Sequence, residues 1–193
     1  MRADATTNRA LLIRTAQRLF AERGTTSVAY SAVAHAAGVG IGTLYRHFPR
    51  PDDLVAAAVV DGADRVEDLC AQHRESLRRA PEEGWGAFVD DLVAADVASF
   101  LPSVVIDSGD ALGALERVRD KATDAVGDLL AVAKAAGLVP SDLDTVQFLV
   151  GIVVLSRPLP EPGPAHVEGL RGWLGSVYVD GLRRQASTAA HNV

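Results

Sequence analysis

Between Ala37 and Arg50 the chain reads AGVGIGTLYRHFPR, and Thr43, Tyr45, Arg46 and His47 follow one another closely enough to share the open side of a short helix. Hydroxyls and an imidazole suit hydrogen bonds to phosphate oxygens, which set register on a duplex. A guanidinium is the side chain best able to read guanine through a bidentate pair. Ile41 and Gly42 fall on the same side, and Arg50 follows two residues after Phe48. Leu44 and Phe48 stand at i, i+4, the spacing of a buried pair that would hold such a helix to a core. The chemistry implied is contact with a nucleic acid. No nucleophile, base and orienter set is proposed by any motif, so the chain is not expected to be an enzyme.

A reading helix needs a scaffold, and the preceding residues supply one. Leu12, Ile13, Ala16, Leu19 and Phe20 repeat at helical spacing over residues 7–23, with Arg9, Arg14, Gln17, Arg18 and Arg23 largely elsewhere. Thr6 or Thr7 is expected to cap that helix, and Gly24 to end it. A short alanine-rich helix over 31–37, with Val33, Ala34 and Ala37 inward, stops at Gly38. Gly38 permits the positive φ of a tight turn, Val39 fills the angle, and a third helix runs over 41–48. The two short helices and the link between them have the dimensions of a helix-turn-helix. Pro51 is placed to begin a fourth helix running to Arg79, with Asp52 and Asp53 favourable at its positive end.

The pattern stays helical to the end. Helices are expected over 81–101, 110–136, from a Ser141 cap to 155, and over 165–185. The proline-rich stretch SRPLPEPGPAH is a stiff connector, and residues 186–193 are expected to fray. With no convincing period-2 segment, the fold class is all-α. The expected domains are a three-helix DNA-binding module over 1–50 and a larger helical bundle, for ligand binding and dimerisation, over 51–193.

Charge separates the same two parts. Residues 1–50 hold seven arginines and no lysine against Asp4 and Glu22, a balance of +5; residues 51–193 hold 12 basic against 23 acidic groups, or −11, within a total of −6. A basic head attracts a polyanion while an acidic body is repelled by it, which helps fix orientation. The 48% hydrophobic and 23% charged residues argue for a folded globular chain. The longest apolar run, Phe148 to Leu155, is far short of the roughly 20 residues of a membrane span. The first ten residues offer no apolar h-region, so no membrane partner and a cytoplasmic location are expected. Cys70 is the single cysteine, which excludes an intrachain disulfide and multi-cysteine zinc sites.

Other functions fit less well. The run GVGIGT resembles a nucleotide-binding glycine loop, but Thr43 occupies the last glycine position, a helix precedes Gly38, and no G-K-[ST] is present. His73-Arg74-Glu75 would need two further cysteines to act as a zinc deaminase site. His35, His166 and His191 are too scattered in sequence to suggest a metal site, so no metal or cofactor is expected. A helical interaction protein that has lost DNA binding remains the alternative from a different class.

The run AGVGIGTLYRHFPRPDDLV, preceded by LLIRTAQRLFAERG, resembles the tetracycline-repressor (TetR) family of bacterial regulators over residues 9–60. The resemblance implies an all-helical homodimer that represses transcription from a palindromic operator in double-stranded DNA, and that leaves it when a small-molecule effector binds the divergent C-terminal domain. By position, Thr43, Tyr45 and His47 match the family's DNA-contacting sites, and Leu44 and Phe48 its core. Three departures stand out. Ala29 replaces a Ser or Thr cap, a change that costs about 1 kcal/mol unless Ser27 or Ser31 compensates. Gly40 replaces a common Ser, and Pro51 a frequent phosphate-gripping Lys, which moves that contact to Arg50 or loses it.

Candidates for the effector pocket are His73, Trp85, Phe88, Phe100, Gln147 and Phe148, since small-molecule sites are apolar clefts with few polar groups; the same residues also suit plain core. The dimer is expected to form through the last two helices. Val146, Val150, Val153 and Val154 would pack against Leu170, Leu174, Val177 and Tyr178 of the partner as a four-helix bundle, with glycines allowing close approach.

Overall fold

The computed structural model describes residues 2–23, 28–95, 112–156 and 169–191. Among these, every regular element is a helix: α1 (Arg2–Arg23), α2 (Tyr30–Ala36), α3 (Ile41–His47), α4 (Pro51–Arg79), α5 (Pro81–Ala94), α6 (Leu112–Ala135), α7 (Thr145–Ser156) and α8 (Leu170–His191). The fold is all-α. The chain divides into two compact units, with the breaks inside α4 between Ala63 and Asp64 and inside α6 between Arg119 and Asp120.

The first unit is built on the apolar face of α1. Leu12, Ile13, Ala16, Leu19 and Phe20 are buried, and so are Val33 and Ala34 of α2, Leu44 of α3, Phe48, and Leu54 and Ala58 of α4. Full burial of a side chain such as Leu44 contributes about 1.5–3 kcal/mol, which is how a seven-residue helix, too short to be stable alone, is held. Gln17 departs from expectation. It is buried, and its Nε2 donates to the Ala58 carbonyl and to Asp61 Oδ2, both at 2.9 Å. A polar group on the inner face is tolerated because its donors are satisfied. Thr6 and Thr7 lie inside α1, which begins at Arg2, rather than capping it.

In the second unit α5 packs against α7 and α8. Trp85, Phe88, Val89 and Leu92 of α5 are buried along with Leu77 of α4, Val126, Leu129, Leu130 and Ala133 of α6, Phe148 and Ile152 of α7, and Leu182 of α8. Gly84 permits the tight corner between α4 and α5, because a Cβ there would lie 2.6 Å from the Leu77 Cα. Lys121 pairs with Glu67 at 2.6 Å, a contact largely open to solvent and so of small net value. Cys70 is buried, and desolvation pushes its thiol up to about 12, so it serves as a small hydrophobe and not as a nucleophile.

Helix ends follow the expected chemistry in part. Gly137, at φ +69°, closes α6, with the Leu138 N–H donating to the Ala133 carbonyl at 3.0 Å. The cap of α7 is Asp144 and not Ser141: its Oδ1 accepts the Val146 and Gln147 N–H groups at 2.6 and 3.3 Å. The start slips because the Leu143 N–H turns back onto the Pro140 carbonyl. Residues 186–191 continue α8 instead of fraying, with Ser187 and Thr188 hydroxyls donating to the Arg183 and Arg184 carbonyls.

Candidate functional site

The turn between α2 and α3 is closed by its own backbone. Ala37 N–H donates to the Val33 carbonyl at 2.9 Å, Gly38 N–H to His35 at 3.1 Å, and Val39 N–H to Ala34 at 3.0 Å, with Gly38 at φ +67° as its position in the sequence requires. Gly40 then caps α3 through its carbonyl, which accepts the Thr43 N–H at 2.8 Å. A helix-turn-helix results. α3 is seated by Leu44, which is fully buried, and by Phe48 at its end.

The other side of α3 is open. Ile41 is 44% exposed and Tyr45 51%, Gly42, Arg46 and Arg50 are exposed, and Thr43 and His47 are half-buried. Two of the cations are held. Arg46 Nε donates to the Gly42 carbonyl one turn back at 3.2 Å, which leaves the Nη1 and Nη2 end for a bidentate pair. Arg50 Nη2 lies 2.9 Å from Asp53 Oδ1, and the Arg50 backbone N–H donates to Asp53 Oδ2 at 3.0 Å. The hydrogen bond from Arg50 holds the Asp53 carboxyl below its usual range. Any anion that Arg50 is to meet must compete with that carboxylate.

Two contacts brace α3 from outside it. The Tyr30 hydroxyl donates to the Phe48 carbonyl, and the Arg9 guanidinium sits 5.2 Å from the Phe48 ring centroid. The Tyr30 ring also meets Tyr45 edge-on at 5.1 Å. Tyr30 lies outside the residues that spacing alone nominates; its one signal was an aromatic side chain at the first position of a helix whose cap, Ala29, has no side chain to offer.

The candidate effector residues gather in part. Trp85, Phe88 and Phe148 are buried, with the Trp85 ring 5.7 Å from Phe88 and 5.2 Å from Phe148. His73 meets Phe88 at 5.8 Å, and its Nε2 lies 2.8 Å from Asp91 Oδ2. Gln147 stands apart. It is exposed, and its Oε1 accepts the Asp144 N–H at 3.1 Å, which is a helix-end role. Phe100 lies outside the described residues. Among the described residues the buried Trp85 indole N–H has no hydrogen-bond partner, nor has Arg183 Nε, although an Arg183 Nη2 reaches Glu82 at 3.3 Å. An unmet buried donor costs about 1–3 kcal/mol.

The dimer candidates divide by exposure. Val146, Val150 and Val154 are 59%, 54% and 66% exposed at i, i+4 and i+8 of α7, and Val177 of α8 is also open. Val153, Leu170, Leu174 and Tyr178 are half-buried. Tyr178 stacks on Phe148 at 6.2 Å and lies over Gly151, where a Cβ would come within 2.3 Å of its hydroxyl. The close approach that Gly151 permits is therefore within one chain. Trp173, which sequence reasoning did not single out, is 61% exposed on α8; a lone indole in a helical repeat gives no sign of which way it faces. No described helix is long and apolar enough to cross a membrane, and no cluster of three metal-ligating side chains occurs among the described residues.

Residues 12–58 match the family described as "Bacterial regulatory proteins, tetR family", and residues 80–184 match "Transcriptional regulator SbtR-like, C-terminal domain". An HTH-type transcriptional regulator of Staphylococcus aureus (strain USA300) is 43% identical over 54 residues, covering 28% of this chain and 29% of the relative's own length. The solved TetR transcription regulatory protein from Mycobacterium vanbaalenii is 30% identical, covers 94% of this chain and 98% of its own, and superposes with a TM-score of 0.60. AibR, solved in complex with isovaleryl coenzyme A and operator DNA, is 18% identical with a TM-score of 0.60 over 91% of this chain and 97% of its own, a likeness of fold.

Proposed function

The chain belongs to the tetR family of bacterial regulatory proteins, and from that membership we propose that it is a repressor acting in the cytoplasm, which binds a palindromic operator as a homodimer and is released by a small-molecule effector. Residues 1–50 read DNA in this account and residues 51–193 dimerise and sense. The observation that carries it is the helix-turn-helix whose second helix buries Leu44 while opening Ile41, Gly42, Tyr45 and Arg46. Such a helix fits the major groove, with Arg46 as the base reader and Thr43, Tyr45, His47 and Arg50 at phosphates.

The apolar stripe Val146, Val150 and Val154 on α7, and the exposed Trp173 and Val177 on α8, support self-association. Exposed apolar side chains at helical spacing are what an interface buries, and a two-fold axis would pair α7 and α8 with their copies. For the effector, the aromatic cluster around Trp85 supports an apolar molecule carrying an acceptor for the unmet indole N–H. AibR, which shares the fold, was solved with both a coenzyme A thioester and operator DNA. Release requires only that the effector prefer the unbound form: a preference of about 1.4 kcal/mol shifts the equilibrium tenfold.

Gel-shift titration of DNA flanking the protein's own gene tests the reading. Binding is expected at low salt, with affinity falling steeply between about 50 and 200 mM. Absence of binding at any salt would remove the regulator and favour the interaction-protein alternative.

A further inference from the structure

We infer that Tyr30 is a positioning residue for DNA recognition, setting the side chain of Tyr45 and the end of α3; this rests on the DNA-binding reading above. Tyr30 is the first residue of α2, yet its ring and its hydroxyl reach α3 and the residues that follow it. Its hydroxyl donates to the carbonyl of Phe48, the residue that ends α3, and lies 3.4 Å from the Arg50 carbonyl. Its ring stands edge-on to Tyr45, with centroids 5.1 Å apart and planes at 64°.

Both contacts answer a local need. α2 and α3 lack side-chain caps, with Ala29 and Gly40 in the capping places, so neither short helix is fixed at its start in the usual way. The chain leaves α3 at Phe48, whose backbone is extended, and Tyr30 satisfies the Phe48 carbonyl there. Tyr45 is half open to solvent and would sample several χ1 rotamers on a helix surface. An edge-to-face partner selects one of them before DNA arrives, so the ordering cost on binding is reduced.

A double-mutant cycle tests this, using a duplex enriched from a random pool by the wild-type protein. Tyr30→Leu is expected to weaken binding about three- to tenfold, the range of an aromatic pair. In a Tyr45→Ala background the same change is expected to cost clearly less, because only the hydroxyl's hold on the end of α3 remains to be lost. Tyr30→Phe keeps the ring and so restores the dependence on Tyr45. The slope of affinity against salt is expected to stay unchanged in Tyr30→Leu. Equal losses in both backgrounds, or a slope reduced by about one, would show a merely structural role or a direct phosphate contact, and either overturns the inference. If Tyr30→Leu does not fold, ring-proton Overhauser contacts between Tyr30 and Tyr45 in the unbound wild type decide: presence supports the inference and absence overturns it. Should the wild-type protein retain no duplex, the DNA-binding reading fails and takes the inference with it; wild-type binding with additive losses sinks the inference alone.

Discussion

Alanine at Gly84 and alanine at Gly86 are the same substitution in the same helix, and the structure gives them opposite signs. At Gly84 a Cβ would lie 2.6 Å from the Leu77 Cα, 2.7 Å from its nitrogen and 2.8 Å from the Ser76 carbonyl carbon, whereas at Gly86 nothing lies within 4 Å. All three obstructing atoms are backbone, so no rotamer change relieves them. The α4–α5 corner must open by most of an ångström, and overpacking of this kind costs about 1–3 kcal/mol. Both variants gain up to about 1 kcal/mol of helix propensity, so that term cancels in the comparison. Gly86→Ala should therefore exceed Gly84→Ala in stability by about 1–3 kcal/mol. Thermal melts at one protomer concentration measure the gap, at about 2–4 °C per kcal/mol for a chain of this size. Because Trp85 follows Gly84, the destabilised variant should also show a changed tryptophan emission at temperatures well below its melt. Equal melting temperatures for the two variants would refute the close packing of α5 on Leu77.

Three further outcomes are expected. Arg46→Ala should relax base preference by about 1–3 kcal/mol at one position of each half-site while keeping non-specific affinity, read by competition between cognate and random duplexes. Val154→Asp should leave the helix content of the protomer intact by circular dichroism, since the side chain is 66% exposed, yet shift sedimentation to monomer, because the two-fold axis buries two unpaired charges. An alkaline absorbance titration should find a phenol ionising near 12 that Tyr30→Phe removes, as burial and then the Asp53 carboxylate push Tyr30 up to about 12 from 10.0. The folded state then holds the proton more tightly than the unfolded one, so this contribution to stability is complete below pH 10 and is lost as pH rises from 10 toward 12.

Much of the reading head was legible because its residues obey short-range rules. The positive φ at Gly38 follows from a tight turn between two helices, the stop of α3 from Pro49, and the Leu44 and Phe48 pair from i, i+4 spacing. Position along a helix, however, does not name partners from elsewhere in the chain. Gln17 looked like a surface residue until Ala58 and Asp61, more than 40 residues on, took its two N–H groups. The polarity of Gln147 suits a pocket, but does not show that its Oε1 accepts the Asp144 N–H at the start of α7. Spacing places Tyr178 on the face expected at the dimer, and does not show that its hydroxyl lies over Gly151 of the neighbouring helix. In each case the deciding contact joins separate helices, or a side chain to a backbone end that only the folded start of a helix reveals.

The central claim, that α3 lies in the groove of a palindromic duplex with Arg46 reading bases, is tested most directly by selecting binders from a pool of random duplexes and sequencing them. The account predicts enrichment of inverted repeats whose half-sites lie one helical turn apart, about 34 Å, or a multiple of it, with a guanine preference that Arg46→Ala erases. Enrichment of no sequence, or a site unchanged in the Arg46→Ala protein, would contradict it.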